Sequence, residues 1–473
     1  MVDNYLRIPL TITGFISALS IFANPVSIGS LYYNVVSEEA KTVAVAAPSE
    51  EDETYSGEIF IPEKISIEGE TYSVESIAPG AFENSTITAV TLPESVQTIG
   101  DYAFFNCAML EFVILAPETL SIGRSAFRNC TRLEQITIPN YINEIMPYTF
   151  YDCIGLQEVT YSQNVSSIGD YAFGNCSKLE QLPLPAKINT LGAGVFSGCS
   201  ALREMRMPYS LKSMGYDMFE GCTSLSTVEL PSSITTIPPF TFKDCSALKE
   251  ITLAEGITEI GKNAFAYCSS LKEPEFPKSL NLIDTEAFFN CSFIKYVTLN
   301  SPGIEIGARA FSHCEGLQEV LLNTVTTIGE EAFSNCNTLN LVSTNTPLES
   351  IGVRAFKNCP EIKNVYIWNE LPPKSSPTAF DESVEKEANL SVMKGLEELY
   401  RQSPGWEKFN NIIGVNDVPT SPALSVNSMI ASHDDVGYQL NGNILSVTSS
   451  EFAVVYKING TPIAEIPAGT TMD

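Results

Sequence analysis

The sequence predicts a repeat solenoid preceded by a small β cap, and three observations carry that prediction. A phenylalanine returns about every 23 residues through most of the chain: Phe82, Phe104, Phe127, Phe150, Phe173, Phe196, Phe219, Phe242, Phe265, Phe288, Phe311, Phe333, Phe356 and Phe380. A fixed period of this length is the signature of a repeat architecture. Other apolar residues keep phase with it; in the unit from Cys130 to Cys153 they are Leu133, Ile136, Ile138, Ile142, Ile145 and Phe150. Finally, one unit cannot bury these side chains alone, whereas stacked copies bury each layer between two neighbours. Parallel strands of successive coils would lie roughly 4.8 Å apart, so an elongated stack on the order of 60–70 Å is expected.

Within a unit the spacing mixes two periods. Ile136 and Ile138 alternate with Gln135 and Thr137, the period-2 pattern of a short strand with one buried face. Ile142 and Ile145 are read as leading into a turn. The segment IG-x-x-AF, seen after Ile99, Ile122, Ile168, Ile260 and Ile351, then reads as one tight helical or 3₁₀ turn that carries Ala and Phe inward. Asn, Asp or Gly usually precedes the cysteine, as at Asn106, Asn129, Asp152, Asn175, Gly198, Gly221 and Asp244. These residues tolerate a left-handed backbone and can turn the chain back toward the next strand.

The resulting pattern, C-x-x-L-x-x-[VI]-x-[LI]-P-x-x-[VIL]-x-x-IG-x-x-AF-x-x-C, resembles the leucine-rich repeat of the BspA type, a family of bacterial surface proteins, over residues 77–369. The resemblance implies a right-handed β/α superhelix, export, and adhesion to host matrix proteins or other cells. Departures are local. Ser85 stands for the first cysteine, Pro238 and Asp284 stand for the glycine, and Pro183 and Pro274 fall inside strand segments. Proline cannot donate to a ladder, so the sheet should be irregular at those two coils.

Taken in order, residues 1–23 place Arg7 ahead of an apolar run from Ile8 to Phe22, which resembles a secretory signal peptide. Asp3, Pro9, Gly14 and Ile21 depart from that pattern, and a buried segment or a membrane anchor is the other reading. Residues 24–76 read as short antiparallel strands (LYYNVV, KTVAVAA, GEIFIP, YSVESIA) that cap the exposed face of the first coil. Residues 370–416 read as a C-terminal cap, with a helix-like run EKEANLSVMKGLEELYRQ and a segment PGW-x-x-F, Pro404 to Phe409, similar to the family's closing segment. Residues 417–473 read as a linker, DVPTSPAL, followed by a partial β domain with Asn-Gly turns. This last piece resembles a sorting or anchoring tail, and the chain ends at Thr471-Met472-Asp473 where a further strand is expected.

With 27 basic and 56 acidic residues, a formal charge of −29 argues against nucleic-acid or anionic-membrane partners. The twelve cysteines, Cys107, Cys130, Cys153, Cys176, Cys199, Cys222, Cys245, Cys268, Cys291, Cys314, Cys336 and Cys359, occupy one repeat column. Side chains aligned in a parallel ladder have poor geometry for disulfides, so the column is read as buried free thiols. With no CxxC and only two histidines, His313 and His433, no metal site or cofactor is expected. His313 beside Cys314 follows the order of the unit and is not read as a catalytic dyad. No catalytic residue is assigned.

Recognition is expected on the outward strand positions. In the middle coils these are acidic, including Glu204, Glu229, Glu250, Glu273 and Glu275, and toward the end they bring Tyr296, Asn364, Tyr366 and Trp368. Tyr366 and Trp368 alternate with Val365 and Ile367 and should point outward, where they could stack on a sugar or anchor a protein. A terminal cap that covers them is the alternative. The sequence therefore predicts a monomeric, non-enzymatic binder of an extracellular protein or glycoprotein, with a structural spacer and a glycan-binding protein as the other readings.

Overall fold

The computed structural model describes residues 25–49, 54–345 and 348–417, together with the backbone of four later strands, Gly437–Asn441, Ile444–Thr448, Phe452–Lys457 and Pro462–Pro467. The leader-like segment 1–23, the linker from residue 418 onward, His433 and the terminal Thr471–Asp473 lie outside the described residues. The chain divides into two compact units, residues 1–291 and 292–473.

The first unit opens with a hairpin of Val26–Ile28 and Leu31–Ser37, which continues antiparallel into Thr42–Ala46. Beyond it the antiparallel expectation holds for Lys64–Ile67 with Glu70–Ile77 and fails for the other pairs. Thr42–Ala46 runs parallel to Glu70–Ile77, which in turn pairs parallel with Thr98–Ile99 of the repeats. Likewise Ser56–Phe60 runs parallel to Thr86–Thr91. These strands therefore present the first coil with a ladder that already has its register and direction.

Each coil is built from two short strands and a turn. The outward-facing ladder holds strands such as Gln135–Thr137, Glu204–Arg206 and Thr227–Glu229, paired parallel and one coil apart. The second strand is a correction to the sequence reading. Where the spacing of Ile142 and Ile145 predicts a lead into a turn, Glu144–Ile145 pairs parallel with Ser167–Ile168, and that with Thr190–Leu191. Only two residues are extended there, too few for an alternating pattern to show. No strand forms at Pro183, and to the outward ladder the coil of Pro274 contributes only the isolated bridge Thr252–Glu275, as a missing N–H requires.

The turn supplies a further inter-coil connection. Phe104, Phe127 and Phe150 donate their N–H groups to Ala126, Thr149 and Ala172 of the next coil at 2.7–2.9 Å, while Phe105, Arg128 and Tyr151 close i→i−3 bonds within their own turn. This alternation places two residues per turn in the left-handed region. One is the residue before cysteine, such as Asn129 (φ 61°) or Asp152 (φ 61°); the other lies four earlier, at Ser125 (φ 54°) and Tyr148 (φ 59°). The IG glycine answers a different demand: a Cβ on Gly123 would sit 2.5 Å from the backbone nitrogen of Asp101 in the preceding coil.

Packing inside the first unit is a column of stacked rings. Phe82 through Phe288 are fully buried, with centroids 5.0–6.3 Å apart and planes within 16° of parallel. Tyr55 closes the column at its start, 4.9 Å from Phe82. Beside the rings run the cysteines, all free and buried. Each Sγ–H donates to the phenylalanine carbonyl of the preceding coil, as from Cys153 to Phe127 (3.1 Å) and from Cys199 to Phe173 (3.1 Å). A small, weakly polar side chain that fills a void and satisfies a carbonyl suits the position, and Ser85, itself buried, replaces it in the first coil.

In the second unit one ladder runs Tyr296–Leu299, Glu319–Leu322, Leu341–Asn345, Asn364–Trp368, Asn389–Met393 and Asn411–Val415, all parallel and in register. The phenylalanine column Phe311, Phe333, Phe356, Phe380 ends on Trp406 and Phe409, whose centroids lie 6.2 and 5.4 Å from Phe380. Trp406 is fully buried and its Nε1–H donates to the Pro373 carbonyl at 2.8 Å. The helix-like run read at residues 385–402 is broken: Glu382–Glu387 and Glu397–Arg401 are helical, but Asn389–Met393 is a strand. Burial of Leu390 and Val392 beside Val365 and Ile367 outweighs the helical propensity of the flanking glutamates. The four later strands form an antiparallel meander.

Because Phe196 is fully buried between two rings, Phe196→Ala is expected to cost about 3–5 kcal/mol, measured as a lowered urea midpoint. Burial pushes the Cys107 and Cys199 thiols up to about 12. A folded value above the unfolded one, about 8.5, gives stability that is complete below that pH and lost as pH rises toward the folded value. Urea midpoints should hold constant to about pH 8.5 and then fall, and Cys199→Ala should shallow that fall. A thiol reagent should label none of the column cysteines until the chain is unfolded.

Candidate functional site: the outward face of the repeat sheet

Period-2 alternation turns every second strand residue away from the core, so the outward side chains form rows across each ladder. In the middle coils of the first unit these rows are polar and charged, whereas its first coils expose Phe60, Phe112 and Ile114. Glu204 lies beside Thr227 and that beside Glu250, while Arg206 lies beside Glu229. Glu204, Glu229, Glu250, Glu273 and Glu275 are all exposed. Threonines separate most of the carboxylates, and cations take up others: Arg206 Nε lies 2.8 Å from Glu229 and Lys272 Nζ 2.8 Å from Glu250. Among the described residues no three His, Cys, Asp or Glu side chains gather as a metal site. A shallow groove runs over this face where the ladder breaks at Pro183, between Leu184, Arg206 and Tyr209.

The second unit presents a different surface. Its outward positions are Tyr296, Thr298, Glu319, Leu321, Leu341, Ser343, Asn345, Asn364, Tyr366, Trp368, Asn389, Ser391, Met393, Asn411, Ile413 and Val415, among which Glu319 alone is charged. Tyr366 is in register with Ser343 on one side and Ser391 on the other. Both serines are buried, at 2% and 4% exposure, while Tyr366 and Trp368 are half-buried. The phenol therefore stands out of its row. Ile413 continues that row beyond Ser391 and is 43% exposed.

The structure places the sequence-predicted residues in two groups. Asn364, Tyr366 and Trp368 share the strand Asn364–Trp368, and Tyr296 lies on the first strand of the same ladder, three strands away. The five glutamates lie in the first unit and are not brought to one point. One alternative is corrected. The strands of residues 389–393 and 411–415 add edge to edge beside Asn364–Trp368 and extend its face, so Tyr366 and Trp368 keep part of their surface in solvent. Leu341, expected on the outward face from its place in the repeat, belongs to the same surface, as do Met393 and Ile413, which were not singled out from sequence because they lie in a stretch read as a cap. His313 is bonded through a ring nitrogen to the Oγ of Ser312 (2.9 Å), which is buried, and Cys314 is in the core, so the neighbouring pair does not open onto a cleft.

The chain contains two tryptophans, one half-exposed at residue 368 and one buried at residue 406. Acrylamide should quench part of the fluorescence readily, and Trp368→Phe should abolish that accessible component. Trp406→Ala should instead cost about 3–5 kcal/mol of stability.

Comparison with known proteins agrees with this architecture. The family model of the BspA type leucine rich repeat region matches in six copies, over residues 75–202, 166–295 and 258–385. Among solved structures, a leucine-rich repeat protein from Bacteroides ovatus is similar at 27% identity with a TM-score of 0.64, over 78% of this chain and 100% of the other. The pneumococcal vaccine antigen PcpA shares the fold at 19% identity with a TM-score of 0.50, over 83% of this chain and 99% of its own. The curated proteins contain no match to the chain. With the family's repeat matched from residue 75 to residue 385, and its period, paired strands and phenylalanine column present in the structure, this chain belongs to the BspA-type leucine-rich-repeat family.

Proposed function

We propose that the chain is a non-enzymatic binding protein of the bacterial surface or its surroundings, and that it holds an extracellular protein partner against the sheet face of its second unit. The observation that carries this reading is the change in outward residues. Where the first unit shows Glu204, Arg206, Glu229 and Glu250, the second shows Leu341, Tyr366, Trp368, Met393 and Ile413 on strands in register. Half-buried tyrosine and tryptophan on rigid strands are the residue types that dominate binding energy at protein interfaces, because they cover much apolar area with little rotamer freedom to lose. Depletion of charge at the centre of the patch and its retention nearby is the usual layout of such an interface.

Strands are also a suitable support for this task. Asn364–Ile367 is paired with a parallel strand on both sides and Trp368 on one, so the aromatic side chains project from a fixed frame and little ordering is required on binding. The acidic rows of the first unit support solubility and steering of a basic partner in this reading.

Binding of the purified chain to a panel of host matrix glycoproteins, intact and deglycosylated, with calcium present or chelated, tests the proposal. Saturable binding that survives both treatments is expected. Tyr366→Ala or Trp368→Ala should weaken it by about 2 kcal/mol, roughly 30-fold, whereas Glu250→Gln should have little effect. Binding to no partner would favour a spacer role, and binding abolished by deglycosylation would favour glycan recognition.

A further inference from the structure

Outside the strand ladders, the turns of the first unit carry a second cluster of aromatic residues, and this one contains arginine. Two neighbouring columns build it. The left-handed position two before phenylalanine holds Tyr102, Tyr148 and Tyr171, and the position after phenylalanine holds Phe105, Arg128 and Tyr151. Tyr148 stacks on Tyr171 with centroids 5.5 Å apart, and Tyr151 stands edge-on to Tyr148 at 5.6 Å. The Arg128 guanidinium lies 5.0 Å from the centre of the Tyr151 ring and 5.7 Å from that of Tyr148, and the Arg124 guanidinium lies 5.3 Å from Tyr148.

The rings are seated on purpose-shaped backbone. Tyr151 lies against Gly174, where a Cβ would come within 2.7 Å of the ring, and Tyr171 lies against Gly194, where a Cβ would come within 2.1 Å. Tyr171 reaches across two coils to donate its hydroxyl hydrogen to Asp217 Oδ2 at 2.7 Å. Tyr151 accepts from Asn175 Nδ2 at 3.1 Å.

Charge points to the ligand. In a chain of net charge −29, neither Arg124 nor Arg128 takes part in an ion pair among the described residues. The carboxylates nearby are committed elsewhere: Asp101 accepts the Arg124 backbone N–H at 2.8 Å, Asp170 the Ala193 backbone N–H at 2.8 Å, and Asp152 the Asn175 side chain at 2.8 Å. Two guanidiniums outside any ion pair, beside fixed aromatic rings, match a compact ligand with an apolar ring face, several hydroxyls and one anionic group. A long polyanion fits poorly, because its charges beyond the cluster would meet an acidic surface within about one Debye length, ~8 Å. We propose that the Arg124–Arg128–Tyr148–Tyr151 cluster is a binding site for a terminal pyranose that carries a carboxylate.

Isothermal titration of the full chain with 3′-sialyllactose, lactose and sodium acetate tests this. Saturable binding of the sialylated trisaccharide is expected, with Kd on the order of 1 mM or tighter. Lactose and acetate should each bind at least about tenfold more weakly, since each supplies only part of the recognition, and added salt should weaken the complex. The exposed Arg124→Gln, alone and with Arg128→Gln, should lower affinity by about tenfold or more without moving the thermal midpoint of unfolding. Trp368→Ala should leave it unchanged, which keeps this outcome separate from the sheet-face proposal. Equal binding of lactose, undiminished binding by the double variant, or no saturable binding of 3′-sialyllactose would each overturn the site and leave the cluster a structural one.

Discussion

Contact of each coil with the next is the condition for everything else in this molecule. A unit of 23 residues has too little surface to enclose a core of its own. Here three inter-coil connections act together: parallel strand pairs, turn N–H groups bonded one coil ahead, and stacked phenylalanine rings with cysteine thiols bonded to the phenylalanine carbonyl one coil back. Each coil is thereby both template and cover for its neighbours. The same condition explains the ends. Tyr55 and the parallel strands around it cover one end of the first unit's ring column, and Trp406 with Phe409 covers one end of the second unit's.

A core specified by so few columns leaves the outward positions free to differ. In a globular fold, a change from glutamate to tryptophan on a strand would disturb packing on one side or the other. In these coils the outward row has no second layer against it, so chemistry can vary from strand to strand while the ladder remains in register. The acidic rows of the first unit and the aromatic, nearly uncharged rows of the second are two outcomes of that freedom. The turn columns have it too, and there the first unit carries Tyr148, Tyr151 and Arg128. Binding surfaces can therefore arise on different sides of one coil without competing for the same residues.

Much of this was legible from residue order, and the misses share a cause. The phenylalanine period and the cysteine column follow from spacing, and Pro183 reports a ladder gap because proline lacks an N–H. The second strand of each coil was missed because two residues, as at Glu144–Ile145, are too short to show a period. The left-handed residue five before the cysteine was missed because Tyr148, Glu286 and Arg309 occupy it, types with no preference for that backbone. Strand Asn389–Met393 was read as part of a helix, since its flanks favour helix and only the neighbouring Asn364–Trp368 rewards extension. Tyr366 and Trp368 were recognised as outward-facing from alternation alone, but the contribution of Ile413 to their row was not.

By itself the sequence determined the repeating coil, its buried columns and which strand residues face outward, because these depend on short-range periodicity and on the volume one coil must share with the next. Tertiary structure decided the surfaces. Whether Tyr366 lies beside serine or a bulky neighbour, whether two arginines meet carboxylates or rings, and whether a cap covers a face or extends it all depend on register between residues 22 to 25 positions apart. That register is settled by the three-dimensional stack, in which backbone bonds between coils align residues whose side chains carry no mutual signal in the chain.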